Sequence, residues 1–205
     1  MNTNTGSEQI APTPRIAIIT GSTRPRRHGE AIAAWVFDIA VKREDADFEL
    51  LDLAEIDLPL LDEPVPPIVG SYSQEHTVAW SERITPFDGY VFVVPEYNHG
   101  PSAAVKNAID FLYAEWNNKA AGFVGYGAEG GIRAVEQLRL TMGELQVADV
   151  RAAVSVSMYT DFVEFTTFAP RPHQEEAVTD MLDQLTAWSR ALRPLRSNDD
   201  ETETR

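Results

Sequence analysis

Short apolar runs rich in β-branched residues alternate along this chain with stretches whose apolar positions recur every three to four residues, the pattern of strands and helices taken in turn. The runs RIAIIT (15–20), 48–53, GYVFVV (89–94), 120–126 and 151–157 predict five strands. Helices are predicted over about 28–43, 74–85, 102–113, 132–145 and 174–192, the first with Ile32, Trp35, Val36 and Ile39 on one face. Strands without polar alternation are buried on both faces, so the prediction is one α/β domain: a five-stranded parallel sheet between two helical layers. The connection after the second strand, with Pro59 and the proline-rich 63–67, cannot be regular structure and is long enough to cover part of a site.

The same pattern sets the boundaries. Residues 15–193 form the expected domain, preceded by a polar, proline-containing flexible terminus (1–14) and followed by a disordered acidic tail (194–205) ending SNDDETETR. No internal repeat or second domain is visible.

Composition narrows the classes of function. At 205 residues, 43% of them hydrophobic, the chain can bury a sizeable core. It has no cysteine, which removes disulfides, thiolate nucleophiles and Cys-based metal sites and is compatible with a reducing cytoplasm. The N-terminus lacks both a basic and an apolar targeting region, and no apolar run reaches the length of a membrane span, so a membrane partner is not expected. Thirty-two acidic against seventeen basic residues give a net charge of −15, which argues against nucleic acid. Any anionic ligand must be held by a local cluster of positive charge.

Three loops stand out at the carboxyl ends of predicted strands. In the order 2-1-3-4-5, the loops after strands one and three share the ligand crevice of an open parallel sheet, with the loop after strand four beside them. The first, Gly21-Ser22-Thr23-Arg24-Pro25-Arg26-Arg27-His28-Gly29, enters a helix, where unpaired N–H groups and the positive end of the dipole favour an anion. Ser22 and Thr23 supply hydroxyls, and three arginines within four residues are a local exception in so acidic a chain. Read more plainly, Ser22 or Thr23 caps a turn and the arginines are solvated. The loop is neither GxGxxG nor a Walker A motif.

The second, Pro95-Glu96-Tyr97-Asn98-His99-Gly100-Pro101, puts polar side chains at the end of a buried strand, where they suit the amide-like edge of a planar ring. Read alone, it fits a helix-entry turn with exposed polar residues equally well. The third, Gly127-Ala128-Glu129-Gly130-Gly131, could line such a ring with N–H groups, though glycine turns between strand and helix are common. His28, His76, His99 and His173 show no metal-ligand spacing, and no GxSxG or paired carboxylates ask for a hydrolase.

In their order and spacing, GSTRP with Arg27 and Gly29, VFVVPEYNHGPSAAVKNAIDFL and FVGYGAEGGIRAVEQLRLTM resemble the NAD(P)H-dependent FMN reductase family, which includes flavin, quinone, chromate and azo-dye reductases. The resemblance covers about residues 15–157. It implies a flavodoxin-like three-layer sandwich with sheet order 2-1-3-4-5 and helices on both faces, FMN as cofactor and NADPH or NADH as cosubstrate. By the resemblance, Ser22, Arg24 and Arg27 hold the FMN phosphate with Thr23, His28 and Gly29 around it. Pro95, Glu96, Tyr97 and Asn98 border the isoalloxazine, and Gly127, Ala128, Gly130 and Gly131 carry the second ring-facing loop. Arg26 stands where many relatives have Gly, and either a phosphate contact or solvent would suit it.

The implied reaction is hydride transfer from the nicotinamide to bound FMN, then to an oxidised small-molecule acceptor such as free flavin or a quinone, by a ping-pong scheme. FMN carries that chemistry, so no catalytic side chain is named, and Glu96 and Glu129 are read as structural or edge-binding. Family members form dimers or tetramers, which implies a homodimer or homotetramer, expected in the cytoplasm, with Tyr113, Trp116 and the PEYN loop as candidate contacts; for Trp116, ordinary packing at a helix end is the favoured alternative. Two other readings share the fold: a flavodoxin-type one-electron carrier between protein partners, and a cofactor-free interaction protein.

Overall fold

The computed structural model describes residues 12–197. In chain order its main elements are β1 (Arg15–Thr20), α1 (Gly29–Ala40), β2 (Asp47–Asp52), the one-turn α2 (Leu53–Ile56), α3 (Glu75–Ile84), β3 (Gly89–Tyr97) and β4 (Gly100–Pro101). They continue with α4 (Ala103–Asp110), β5 (Ala120–Gly127), α5 (Ile132–Glu144), β6 (Ala148–Ser157), β7 (Phe162–Val163), β8 (Thr167–Phe168) and α6 (Pro172–Ser197).

The long strands pair in parallel in the order β2-β1-β3-β5-β6. Leaving aside the two-residue β4, which folds back antiparallel on β3, this is the order 2-1-3-4-5. Strand alternation divides the core into two layers. Ala17, Ile19, Tyr90, Phe92 and Phe123 face one way, against Trp80 of α3, Ile109 of α4 and Leu138 of α5. Ile16, Ile18, Val91, Val93 and Val124 face the other way, against Ile32 and Val36 of α1 and Met181 and Leu185 of α6. Burial on both sides is why these strands read as unbroken apolar runs.

Several expectations shift. The buried face of α1 is Ile32, Ala33, Val36 and Ala40, because the two alanines let the helix approach the sheet. Trp35 is only half-buried and meets the ring of Phe168 edge-on at 5.4 Å. The second strand stops at Asp52, whose side chain accepts from Ala54 N at 2.9 Å and starts α2. The long connection after α2 is closed by Glu63, which accepts from Ser73 Oγ (2.8 Å), Ser73 N (2.9 Å) and Gln74 N (3.0 Å).

Trp116, a candidate subunit contact, is 1% exposed. It packs against Tyr90 with ring centroids 4.9 Å apart and donates from Nε1 to Ile109 O at 3.1 Å, so it belongs to the core of its own protomer.

Helix α6 continues past Leu192 because Arg193 and Arg196 both reach the buried carboxylate of Asp88. Arg193 also donates to the carbonyls of Pro12 and Thr13, and Asp47 N donates to Pro14 O at 2.8 Å, so 12–14 are tied to the domain. The remainder of the two expected terminal segments, 1–11 and 198–205, lies outside the described residues. Among the described residues no helix is long and apolar enough to cross a membrane.

Candidate functional site

Adjacent β1 and β3 end in register, Thr20 beside Val93, so the segments that leave them start side by side. Gly21 N donates to Val93 O at 2.9 Å, and Ser102 Oγ, which caps α4, donates to Gly21 O. A Cβ at Gly21 would stand 2.4 Å from Val105 Cγ2, so only glycine lets the first loop pass this close to α4. Beyond that point Ser22, fully buried, shares a hydrogen bond of 2.8 Å with the hydroxyl of Tyr97. The guanidinium of Arg24 lies over the Tyr97 ring at 5.9 Å, and Arg24 N donates to Ser22 Oγ at 3.4 Å.

The loop after β3 turns through Asn98 and His99, whose φ angles of 49° and 76° form the tight hairpin that returns the chain as β4. Pro95 is buried, Tyr97 is partly open and Asn98 stands exposed at the tip. The side chain of Glu96 is 5% exposed and joins this loop to the next one. It accepts from Arg133 N at 3.1 Å and Arg133 Nε at 2.6 Å, so it caps and neutralises the N-terminal turn of α5.

In the loop after β5, Gly127 and Ala128 face the open side while Gly130 and Gly131 are buried beneath. Gly131 has φ 73°, and a Cβ there would sit 2.3 Å from Tyr126 N; its role is to let the turn fold back onto β5. Ser155 Oγ donates to Gly130 O at 3.1 Å and holds that fold.

Two adjoining cavities result. One of about 290 Å³ draws on all three loops, through Arg24, His28, Pro95, Tyr97, Gly127 and Ala128. Glu96, Tyr126 and Met158 complete its lining. The second, of about 730 Å³, shares Arg24 and His28 and extends outward along the first loop to Arg26 and Phe165. Thr23 lines a third, of about 270 Å³, roofed by Leu58 and Leu60 of the long connection. That connection is pinned by Asn107 of α4, which accepts from Leu61 N at 2.9 Å and donates to Pro59 O at 2.7 Å.

The charges are distributed in a way the sequence does not disclose. Arg27 is bound to Asp52 and, at 2.7 Å, to Glu30, which leaves its buried Nε without a partner. Tyr126, 5% exposed, also has a hydroxyl with no partner, and burial pushes its pKa up. That hydroxyl lies 2.8 Å from where a Cβ on Gly29 would be, against the first turn of α1. His28, at the N-cap, makes no capping hydrogen bond; burial and the nearby Arg24 lower its pKa and favour the neutral imidazole.

An uncapped helix start, an arginine without a carboxylate and two buried donors without acceptors thus lie along the first loop and the turn of α1 it enters, and they fit a phosphate group. Beside them lies a slot bordered by Pro95, Tyr97 and a glycine turn, which fits a flat ring. Residues with a part here that sequence reasoning missed are Tyr126, Met158, Asp52, Arg133 and Asn107. Tyr126, Arg133 and Asn107 lie in segments that stood out in the sequence, whereas Asp52 and Met158 do not. Among the described residues no group of three or more His, Asp or Glu is arranged to hold a metal ion.

Comparison with known proteins gives a consistent picture. A family model described as NADPH-dependent FMN reductase matches residues 14–161. An NAD(P)H-dependent FMN reductase of Schizosaccharomyces pombe is 44% identical over 137 residues, covering 66% of this chain and 68% of that protein. Another, ntnL of a Nectria species, is 38% identical over 157 residues, covering 72% and 78%. Among solved structures, FerB, a flavoenzyme NAD(P)H:(acceptor) oxidoreductase of Paracoccus denitrificans, shares the fold, with a TM-score of 0.67 at 19% identity over 86% of this chain and 97% of that one.

Proposed function

This chain belongs to the NADPH-dependent FMN reductase family, and on that premise we propose that it binds FMN at the ends of β1, β3 and β5 and reduces a small oxidised acceptor with electrons from NADPH or NADH. The observation that carries the reading is the pair of buried, unpartnered donors, Tyr126 Oη and Arg27 Nε, at the uncapped start of α1. When bound, FMN supplies the redox chemistry, taking a hydride from the nicotinamide and passing the electron pair on.

The chain's own residues bind and orient. Ser22, Thr23, Arg24, His28 and Gly29 surround the phosphate, with Arg27 held in place by Asp52. Pro95, Tyr97 and Asn98 border the ring on one side and Gly127 and Ala128 on the other. Glu96, Gly130 and Gly131 set the position of that second border by fixing the start of α5. One open face for donor and acceptor in turn gives ping-pong kinetics, and free flavin or a quinone fits such a slot.

We place this activity in the cytoplasm, where reduced nicotinamide nucleotides are supplied, and in a homodimer or homotetramer. Supporting the assembly is an apolar groove of about 430 Å³ between Ile68, Tyr113 and Leu145, next to the 80% exposed Leu140. Anaerobic stopped-flow mixing of the FMN-loaded protein with NADPH or NADH tests the activity. Bleaching of the flavin absorbance faster than that of free FMN is the expected result. A flavin bound but reduced no faster than free FMN overturns it.

A further inference from the structure

Arg26 has a left-handed backbone (φ 56°) and an exposed side chain, and it makes no hydrogen bond or ion pair with another described residue. In a chain of net charge −15 such a guanidinium is conspicuous. It borders the cavity of about 730 Å³ together with Arg24, whose charge likewise faces no carboxylate partner. The one carboxylate in that lining, Glu30, is offset by its ion pair with Arg27 at 2.7 Å.

The same cavity is bordered by the hairpin β7–β8, through Phe165 and Thr166. At its tip Glu164 and Phe165 take φ 50° and 57°, and Thr166 N closes the turn by donating to Val163 O at 3.0 Å. Two bulky residues in the left-handed region make this a costly turn, and it holds Phe165 out with 57% of its surface exposed. Tyr159, 66% exposed, meets that ring edge-on at 5.8 Å. The base of the hairpin is fixed by Phe162 against His28 at 4.7 Å and by Phe168 against Trp35. A rigidly held open ring next to unpaired arginines is a chemistry that recognises a nucleobase and a phosphate together.

We propose that this outer cavity binds the adenosine 2′-phosphate end of NADPH, with Arg26 facing that phosphate, Arg24 left to the flavin phosphate, and Phe165 stacking on the adenine. The inference rests on the reductase reading above and adds to it the site that tells NADPH from NADH. The cavity shares Arg24 and His28 with the ring slot, so a dinucleotide whose nicotinamide lies at the ring can follow the surface to Phe165. The flavin phosphate is placed on the inner side of the same loop, where the donors of Tyr126 and Arg27 are buried.

Two variants test this without disturbing the backbone: Arg26→Gly and Phe165→Asn put residues that tolerate positive φ at positions that require it. The probes are 2′,5′-ADP and 5′-AMP, titrated calorimetrically into FMN-loaded protein. Arg26→Gly is expected to weaken 2′,5′-ADP about tenfold and 5′-AMP by no more than about twofold, with the NADPH-to-NADH ratio of kcat/KM falling in parallel. Phe165→Asn is expected to weaken both probes by a similar factor. Equal losses for both probes in Arg26→Gly overturn the 2′-phosphate site. A weaker FMN affinity in that variant also overturns it, because it assigns Arg26 to the flavin phosphate. If 2′,5′-ADP is discriminated as expected but neither nucleotide reduces the flavin, the subsite stands and the reductase reading fails.

Discussion

Ser22 Oγ and the Tyr97 hydroxyl lie 2.8 Å apart, so one hydrogen bond between residues separated by 75 positions fastens the loop after β1 to the loop after β3. On the proposed reading, the phosphate side and the ring side of the site are therefore set relative to each other by side chains, not by the sheet alone. Tyr97→Phe removes the bond and keeps the ring beneath Arg24; Ser22→Ala removes it together with the acceptor for Arg24 N. In fluorescence titrations FMN binding is expected to weaken a few-fold in the first and about tenfold in the second. A silent Tyr97→Phe would mean that the bond positions nothing.

Arg24 lines both cavities and has no carboxylate partner among the described residues. Replacing it by alanine is expected to weaken FMN by about ten- to a hundredfold, in the range of a charge-assisted hydrogen bond, and riboflavin far less. Equal losses for the two flavins would remove the arginine from the phosphate.

His28 has a lowered pKa in the free protein, from burial first and from Arg24 second. A phosphate dianion beside it stabilises the imidazolium and moves that pKa up. FMN should then bind with proton uptake, and more tightly as pH falls through the window between the raised and the lowered value. Calorimetry in two buffers of different ionisation enthalpy reads the uptake directly. No uptake, or tighter binding as pH rises, argues against an anion at His28.

The Glu96–Arg133 pair caps α5 from a carboxylate that is 5% exposed. Arg133 itself is 41% exposed, which reduces what the pair contributes. Arg133→Ala is expected to cost roughly 1–2 kcal/mol in urea unfolding, most of it from leaving Glu96 with less of its charge compensated. A change of under about 0.3 kcal/mol would show that the backbone N–H alone satisfies the carboxylate.

At the opposite end of the sheet, Lys119 is 3% exposed and donates to Thr85 O at 2.9 Å and to the Tyr90 hydroxyl at 3.0 Å. Burial, then Arg196, pushes its pKa down to about 7 from 10.5. Between those values the unfolded chain binds a proton that the folded one does not, so stability should rise with pH from about 7 towards 10. Urea midpoints at pH 7 and 9.5 check this, and Lys119→Met should flatten the rise. A wild-type midpoint that falls across this range contradicts the assignment.

The layered sheet is legible in the sequence because burial on both faces writes itself as apolar runs such as RIAIIT and GYVFVV. The hairpin β7–β8 is not, since two-residue strands such as Phe162–Val163 carry no period. Nor is α2, whose single turn is capped by a hydrogen bond from Ala54 N to Asp52 and closed by one from Asp57 N to Leu53 O. The first two loops stand out because polar residues cluster where buried strands end, and the third stands out by its glycines. Their division of labour stays hidden, because it depends on partners distant in sequence: Asp52 for Arg27, Arg133 for Glu96, and the Gly29 backbone that faces Tyr126. Trp116 illustrates the same limit, since a tryptophan at a helix end reads alike whether it meets a second subunit or, as here, Tyr90 and Ile109.

The commitment of Glu96 to α5 has a consequence for what the protein can accept. Among the described residues it is the only carboxylate bordering the ring slot, and both of its oxygens are already engaged by Arg133. Under the proposed reductase reading, that carboxylate is therefore not free to serve as a dedicated acid for a compound reduced there. Under that reading the slot selects its guests by flatness, not by a carboxylate matched to one compound.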